Sequence, residues 1–260
     1  LRAANSVPAI LSYNSVALSY LPRPDGKVLT KSPDLLAKEG KFAAVPMIIG
    51  DQEDEGTLFS LFQTNVTTTD RLVTYLKDIF FHNASKKQLE DLVDTYEPWV
   101  WAGSPFRTGL LNEVYPGFKR LAAILGDLVF TLTRRIFLEY VTAAKPNVPV
   151  WSYLASYDYG TPILGTFHGS DLLQVFYGVL PNYASKSIHS YYANFIYNLN
   201  PNDASGGTSS KSKVSETWPQ WTSSTRKLIN FFANRNEFIK DDFRSDSAAF
   251  IRNNVNILHI

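Results

Sequence analysis

Two short, nearly uninterrupted apolar runs constrain this chain more than anything else in it. Val45-Pro-Met-Ile-Ile49 is closed by Gly50, and Val148-Pro-Val-Trp-Ser-Tyr-Leu154 follows much later. Runs this short, apolar on both sides of the pleat, read as strands buried on both faces, the kind parallel sheets use. Pro149 belongs at the start of its strand, because it cannot donate to a ladder. Helical periodicity fills the space between. Thr69 and Asp70 cap a predicted helix reaching Phe81, with Leu72, Val73, Leu76, Ile79 and Phe80 on one face. Residues 87–96 repeat the pattern, and 118–144 form the longest predicted helix. Strands alternating with helices indicate an α/β architecture with a largely parallel sheet. Beyond the second strand, 157–169 reads as a long Gly- and Pro-containing loop and 171–179 as a short helix. Residues 201–217 read as a mobile surface loop, and 227–236 as a last helix before a short tail. Two or three strands are few for 260 residues, and the first 40 are irregular. No internal repeat or domain boundary is visible.

Charge and cysteine usage remove several functions. Twenty-five basic residues against 24 acidic ones leave a formal charge of +1, without the basic excess of a nucleic-acid groove. Cysteine is absent, which excludes a disulfide framework and thiolate metal sites within this sequence. His82, His168, His189 and His259 are not spaced as metal ligands, so no metal or cofactor is expected. The most apolar stretch, 121–144, carries Asp127, Arg134, Arg135 and Glu139, which makes it a buried amphipathic helix and not a membrane span. Leu1 to Asn5 are not backed by the apolar run of a secretory leader.

Chemistry concentrates at two places. Asp51-Gln-Glu-Asp-Glu-Gly56 sets four carboxylates directly after the first strand, at the carboxyl end where open α/β sheets carry function. A calcium loop of the EF-hand type would need an acid where Phe62 stands. Burying like charges is costly, so a solvated acidic turn is the expectation for three of the four. The second place is Gly165-Thr-Phe-His-Gly-Ser170, where glycines frame His168 on a loop; the other three histidines read as structural. A histidine and a carboxylate are two parts of a hydrolytic triad. The Gly-x-Ser-x-Gly elbow that would bring the nucleophile is missing; Gly207-Thr-Ser-Ser-Lys211 lacks its second glycine. The residues alone therefore leave half of a triad, or none.

Several longer motifs occur in a fixed order. They are Leu18-Ser-Tyr-Leu-Pro-Arg-Pro-Asp-Gly26, Val45-Pro-Met-Ile-Ile-Gly-Asp-Gln-Glu-Asp-Glu-Gly-Thr57, Gly103-Ser-Pro-Phe-Arg-Thr-Gly109, Phe118-Lys-Arg-Leu-Ala-Ala-Ile-Leu-Gly-Asp127 and Leu164-Gly-Thr-Phe-His-Gly-Ser-Asp171. Together they resemble the fungal lipases and sterol esterases of the Candida rugosa-like and Geotrichum-like family, type-B carboxylesterases of the α/β-hydrolase fold. The resemblance runs from about Leu11 to the C-terminus. It implies that residues 1–260 are the C-terminal part of a single catalytic domain roughly twice as long. The preceding half would supply the nucleophile elbow, oxyanion hole, lid, disulfides and signal peptide, and would be this segment's partner.

The resemblance assigns Glu55, in Asp-Glu-Gly-Thr, as catalytic acid and His168, in Gly-Thr-Phe-His, as catalytic base. Ser170 and Asp171 would support the histidine loop. The implied activity is hydrolysis of long-chain acyl esters, triacylglycerols or steryl esters, by a secreted enzyme at an oil–water interface. Secretion gives meaning to two sequons, Asn65-Val-Thr67 and Asn83-Ala-Ser85, as glycosylation sites. Gly169 and Ser170 stand where some relatives carry Asn or Ser, and 201–213 is longer than expected. The same fold also hosts adhesion proteins that have lost the triad, so a non-catalytic binding protein is the rival reading. A serine in the preceding half's elbow would separate the two.

Overall fold

The computed structural model of the chain describes residues 21–177, 181–202, 214 and 216–259. Four strands form one sheet in the order β1 (Met47–Gln52), β2 (Val150–Ala155), β3 (Lys227–Phe232) and β4 (Arg235–Lys240). The first three run parallel and β4 returns antiparallel. Around them lie α1 (Pro33–Lys38), α2 (Thr57–Ser60), α3 (Thr69–Tyr75), α4 (Lys86–Asp94), α5 (Phe118–Gly126), α6 (Leu132–Ala144), α7 (Tyr183–Asn198), α8 (Ser245–Asn253) and α9 (Val255–Leu258).

Alternation along β2 explains why it reads as apolar throughout. Val150 and Leu154 pack with Leu138 and Val141 of α6 and with Leu228, while Trp151, Tyr153 and Ala155 pack with Ile188 and Tyr191 of α7 and with Ile229 and Phe231. Both faces are covered by helix, as a parallel sheet requires. β1 begins later than the apolar run suggested and extends into the acidic segment, because Gly50, Asp51 and Gln52 pair with Tyr153, Leu154 and Ala155.

The long helix expected over 118–144 is present with a change of pitch: α5 passes through a π-helical turn, Asp127–Thr131, into α6. All four charges noted in its apolar stretch are paired. Asp127 takes both ends of the Arg244 guanidinium, Arg134 bridges Asp51 and Asp241, Arg135 also reaches Asp241, and Glu139 meets Arg252 and Arg226. The helix expected over 69–81 likewise finishes in a π-helical turn, Leu76–Phe80.

The C-terminal third corrects the sequence reading. Residues 227–236 are not a helix but β3, a two-residue turn at Ala233 and Asn234, and the start of β4, with Phe232 opposite Arg235. Leu228, Ile229, Asn230 and Phe231 are all buried against β2, and that non-local pairing overrides helical spacing. The expected short tail contains α8, whose Ser247 hydrogen-bonds Thr95 beyond the end of α4. Helix α7 was not anticipated, although Asn182 and Ser185 form a reciprocal capping box at its start. The helix expected over 171–179 is a π-helical turn, Leu173–Tyr177, and 178–180 lie outside the described residues. So does most of the loop expected over 201–217, including Gly207 to Lys211.

Candidate active site

The acidic segment leaves the carboxyl end of β1 and turns at once into α2. The turn is possible because Gly56 has no side chain: a Cβ there would lie 1.9 Å from the carbonyl oxygen of Ala122 on α5. Close contact of this turn with the helix drives the acidic residues inward.

The expectation of a solvated acidic turn is therefore overturned. Asp51, Asp54 and Glu55 are buried, and each is accommodated differently. Asp51 meets Arg134 at 2.5 Å. Burial pushes its carboxyl up, to about 7, against the pull of that guanidinium. Burial also opposes ionisation of Asp241, but Arg134 and Arg135 overcome it and hold that carboxyl below its ordinary range. Glu53 remains nearer the surface in a two-pronged pair with Arg107. Among the described residues no cation lies within pairing distance of Asp54; its Oδ1 accepts from the Ser104 hydroxyl and the Phe106 amide, both at 2.8 Å, and its Oδ2 from the Thr166 amide at 3.0 Å. Burial, then the charge of Glu53, raises its carboxyl to about 6, while the three donors pull it back.

Glu55 and His168 are 113 residues apart in the chain, and their side chains meet, with Nδ1 2.6 Å from Oε2. The other carboxylate oxygen of Glu55 accepts from the Gln52 amide at 2.8 Å, which fixes the plane of the group. The acid is buried, with 6% of its side chain exposed, whereas His168 keeps 42% open. The hydrogen bond to Glu55 raises the imidazole pKa, burial lowers it, and the charges of Glu55 and Asp171 add to the rise. Phe59 of α2 and Phe130 of the π-helical turn flank the ring, with centroids 5.2 and 4.8 Å away. The sequence reading missed these two aromatics. The π-helical turn that presents Phe130 leaves no clear periodicity signal, and such turns often occur beside functional sites.

The two supporting residues differ. Ser170 is buried, and its hydroxyl lies 3.0 Å from that of Tyr157, which donates to Gln52 Oε1 at 2.6 Å. This chain of bonds joins the histidine loop to the end of β1. Asp171 is half-buried and acts on His168 through charge. Asn65 and Asn83 are both exposed, on turns flanking α3 and its π-helical extension. His82 and His259 are exposed as well. Among the described residues, no group of three or more His, Cys, Asp or Glu side chains could hold a metal ion, and no helix is long and apolar enough to cross a membrane.

A parallel sheet flanked by helices, with an acid after one strand and a histidine on the loop after the next, defines an α/β-hydrolase arrangement. The fold agrees with the crystal structure of Aspergillus niger EstA, at a TM-score of 0.75 and 20% identity, covering 93% of this chain and 46% of that one. The family model described as the Carboxylesterase family matches residues 2–251, and the chain belongs to that family. It is 63% identical to the secreted triacylglycerol lipase LIP1 of Gibberella zeae over 99% of this chain. It is 40% identical to lipase 2 of Diutina rugosa over 97% of the chain and 35% identical to lipase 2 of Geotrichum candidum over 92%. The chain spans 43%, 44% and 40% of the lengths of these three relatives.

Proposed function

We propose that residues 1–260 are the C-terminal part of a serine carboxylic ester hydrolase, supplying the acid and base of a Ser-Glu-His triad. The observation that carries this reading is the 2.6 Å contact between a buried Glu55 and the solvent-facing imidazole of His168. A carboxylate on Nδ1 keeps that proton in place and leaves Nε2 free to accept one. His168 Nε2 would take the proton of a serine hydroxyl as it attacks the ester carbonyl, then deliver it to the departing alcohol. Water would repeat the sequence on the acyl-enzyme. Glu55 stabilises the imidazolium at each stage. The contact between Glu55 and His168 supports an enzyme over an adhesion protein of the same fold.

The nucleophile and oxyanion donors would come from the preceding half of the same enzyme. The edge of the sheet supports this. Among the described residues β1 pairs only with β2, although Met47, Ile48 and Ile49 are apolar and uncharged. An apolar edge left open invites aggregation, so a neighbouring strand is expected there. The interface would be large and core-like. The names of the relatives support a secreted lipase acting on triacylglycerols; to this we add steryl esters as a further substrate class and glycans on Asn65 and Asn83.

Expressed alone, residues 1–260 should hydrolyse neither short- nor long-chain esters, and the natural full-length enzyme should do so until His168→Ala removes the base. A soluble, monomeric, active 260-residue product would refute the division of the triad. Peptide mass spectrometry of the protein secreted from a fungal host should find both asparagines modified; bare asparagines would overturn the glycan assignment.

A further inference from the structure

Asp54, beside the Glu55–His168 pair, is a buried carboxylate with no cationic partner among the described residues. Its donors come from two separate loops. Ser104 and Phe106 lie on the segment between α4 and α5, and Thr166 lies two residues before His168. The backbone of Asp54 adds to the same connection, since its amide donates to the Thr166 carbonyl at 2.9 Å and it forms a single parallel bridge with Phe167. Thr57 extends it by donating its hydroxyl to the carbonyl of Leu164 at 2.8 Å.

The histidine loop is shaped to receive this carboxylate. Gly165 has a φ of +60°, and a Cβ there would stand 2.1 Å from Asp54 Oδ2. The glycine thus provides both the left-handed turn and the space through which the carboxylate reaches the Thr166 amide. The 104–106 segment is held in turn by Lys119, whose backbone carbonyl accepts from the Ser104 amide at 3.0 Å, while its ammonium donates to the Thr108 hydroxyl and the Gly109 carbonyl just beyond.

We propose that Asp54 is a positioning residue for the catalytic base: its carboxylate clamps the histidine loop to the end of β1 and to the 104–106 segment, setting the distance between His168 and Glu55. This inference rests on the acid–base reading of those two residues. Asp54 and Glu55 are adjacent, so one strand end fixes both the acid and the loop that carries the base. Two backbone amides converge on Asp54, and amides only donate, so the site calls for an acceptor on both sides.

The test uses the full-length enzyme with two variants. In Asp54→Asn the single amide oxygen serves either Thr166 or Phe106, and the other amide faces Nδ2. Gly165→Ala drives the carboxylate off Thr166 from the loop side. Each should lower kcat by about 10- to 100-fold, the cost of misplacing a catalytic group by about 1 Å. KM should stay within about threefold, because the variants touch transition-state geometry and not substrate binding. The acid limb of kcat/KM should move to lower pH, because a loosened contact with Glu55 supports the imidazolium less. A folded Asp54→Asn enzyme with kcat within about twofold of wild type and an unmoved acid limb would overturn the inference, whatever its Tm. If Asp54→Asn does not fold, Gly165→Ala decides by the same two readouts; wild-type values overturn the inference, and failure of this variant to fold as well assigns Asp54 to folding and overturns it too. His168→Ala is assayed in parallel. An active His168→Ala enzyme overturns the acid–base reading and this inference together, whereas an inactive one beside a normal Asp54→Asn enzyme overturns this inference alone.

Discussion

The two halves of the Glu55–His168 pair are held in different ways. Glu55 emerges from a strand, is buried, and has its second oxygen tied to the Gln52 amide three residues away. Beneath it, Asp51 anchors the strand to Arg134, which also grips Asp241 and the Ser152 hydroxyl. His168 sits on a loop, keeps much of its ring open, and depends on contacts from other segments: Glu55, the two phenyl rings and the Tyr157–Ser170 bond. The acid is fixed by the sheet and the base by what surrounds it. A base that exchanges protons with substrate needs an exposed Nε2, and exposure removes the packing that would otherwise hold the ring.

Substitutions on the two sides should separate these roles. The largest effect is expected from His168→Ala, a loss of about a million-fold in kcat with normal folding, as for removal of a triad base elsewhere. Glu55→Gln should cost less, about ten-thousand-fold, because a carboxamide on the fixed acid side favours the wrong tautomer but leaves the ring in place. Equal losses in single-turnover assays would mean that the acid does more than orient the ring. On the acid side, Arg134→Leu leaves Asp51 buried without its partner and should destabilise the protein by about 3–5 kcal/mol. Chemical denaturation of the full-length enzyme reads this directly, and an unchanged midpoint would show that the charge network is not what anchors β1.

The pH profile sharpens the comparison further. The Glu55 hydrogen bond raises the imidazole pKa above the ordinary histidine value of 6.5. The proposed role of His168 as base needs the neutral ring, so kcat/KM should fall with decreasing pH through an apparent pKa above that value. In Glu55→Gln the limb should shift downward, because the imidazolium loses its carboxylate. A limb that stays put would mean that another group sets it. The smallest effect is expected from Ser170→Ala, which deletes one bond between the histidine loop and Tyr157. A loss of about 1 kcal/mol in stability, with kcat reduced a few-fold at most, fits one neutral hydrogen bond among several loop contacts.

Much of this molecule was legible in its sequence. The two apolar runs identified β1 and β2, because a strand covered on both faces has no polar side to show. Helical periodicity identified α3, α4 and the α5–α6 pair, since each buries one stripe. The motifs around Glu55 and His168 marked the residues that meet. Other features depended on distant partners. Residues 227–232 became a strand because β2 offers an edge that buries Leu228 to Phe231, a choice local spacing does not express.

The four acids among residues 51–55 illustrate the boundary best. Their sequence says only that like charges are crowded together, which implies solvent. Tertiary structure separates them by giving each its own counterpart: Arg134 for Asp51, Arg107 for Glu53, Ser104 with two amides for Asp54, and His168 for Glu55. The sequence determined which chemical groups stand at the end of β1 and that a histidine loop follows β2. Only the folded chain decided that Asp51, Asp54 and Glu55 are buried, because the cost of burying a carboxylate is offset by partners that lie 50 to 113 residues away.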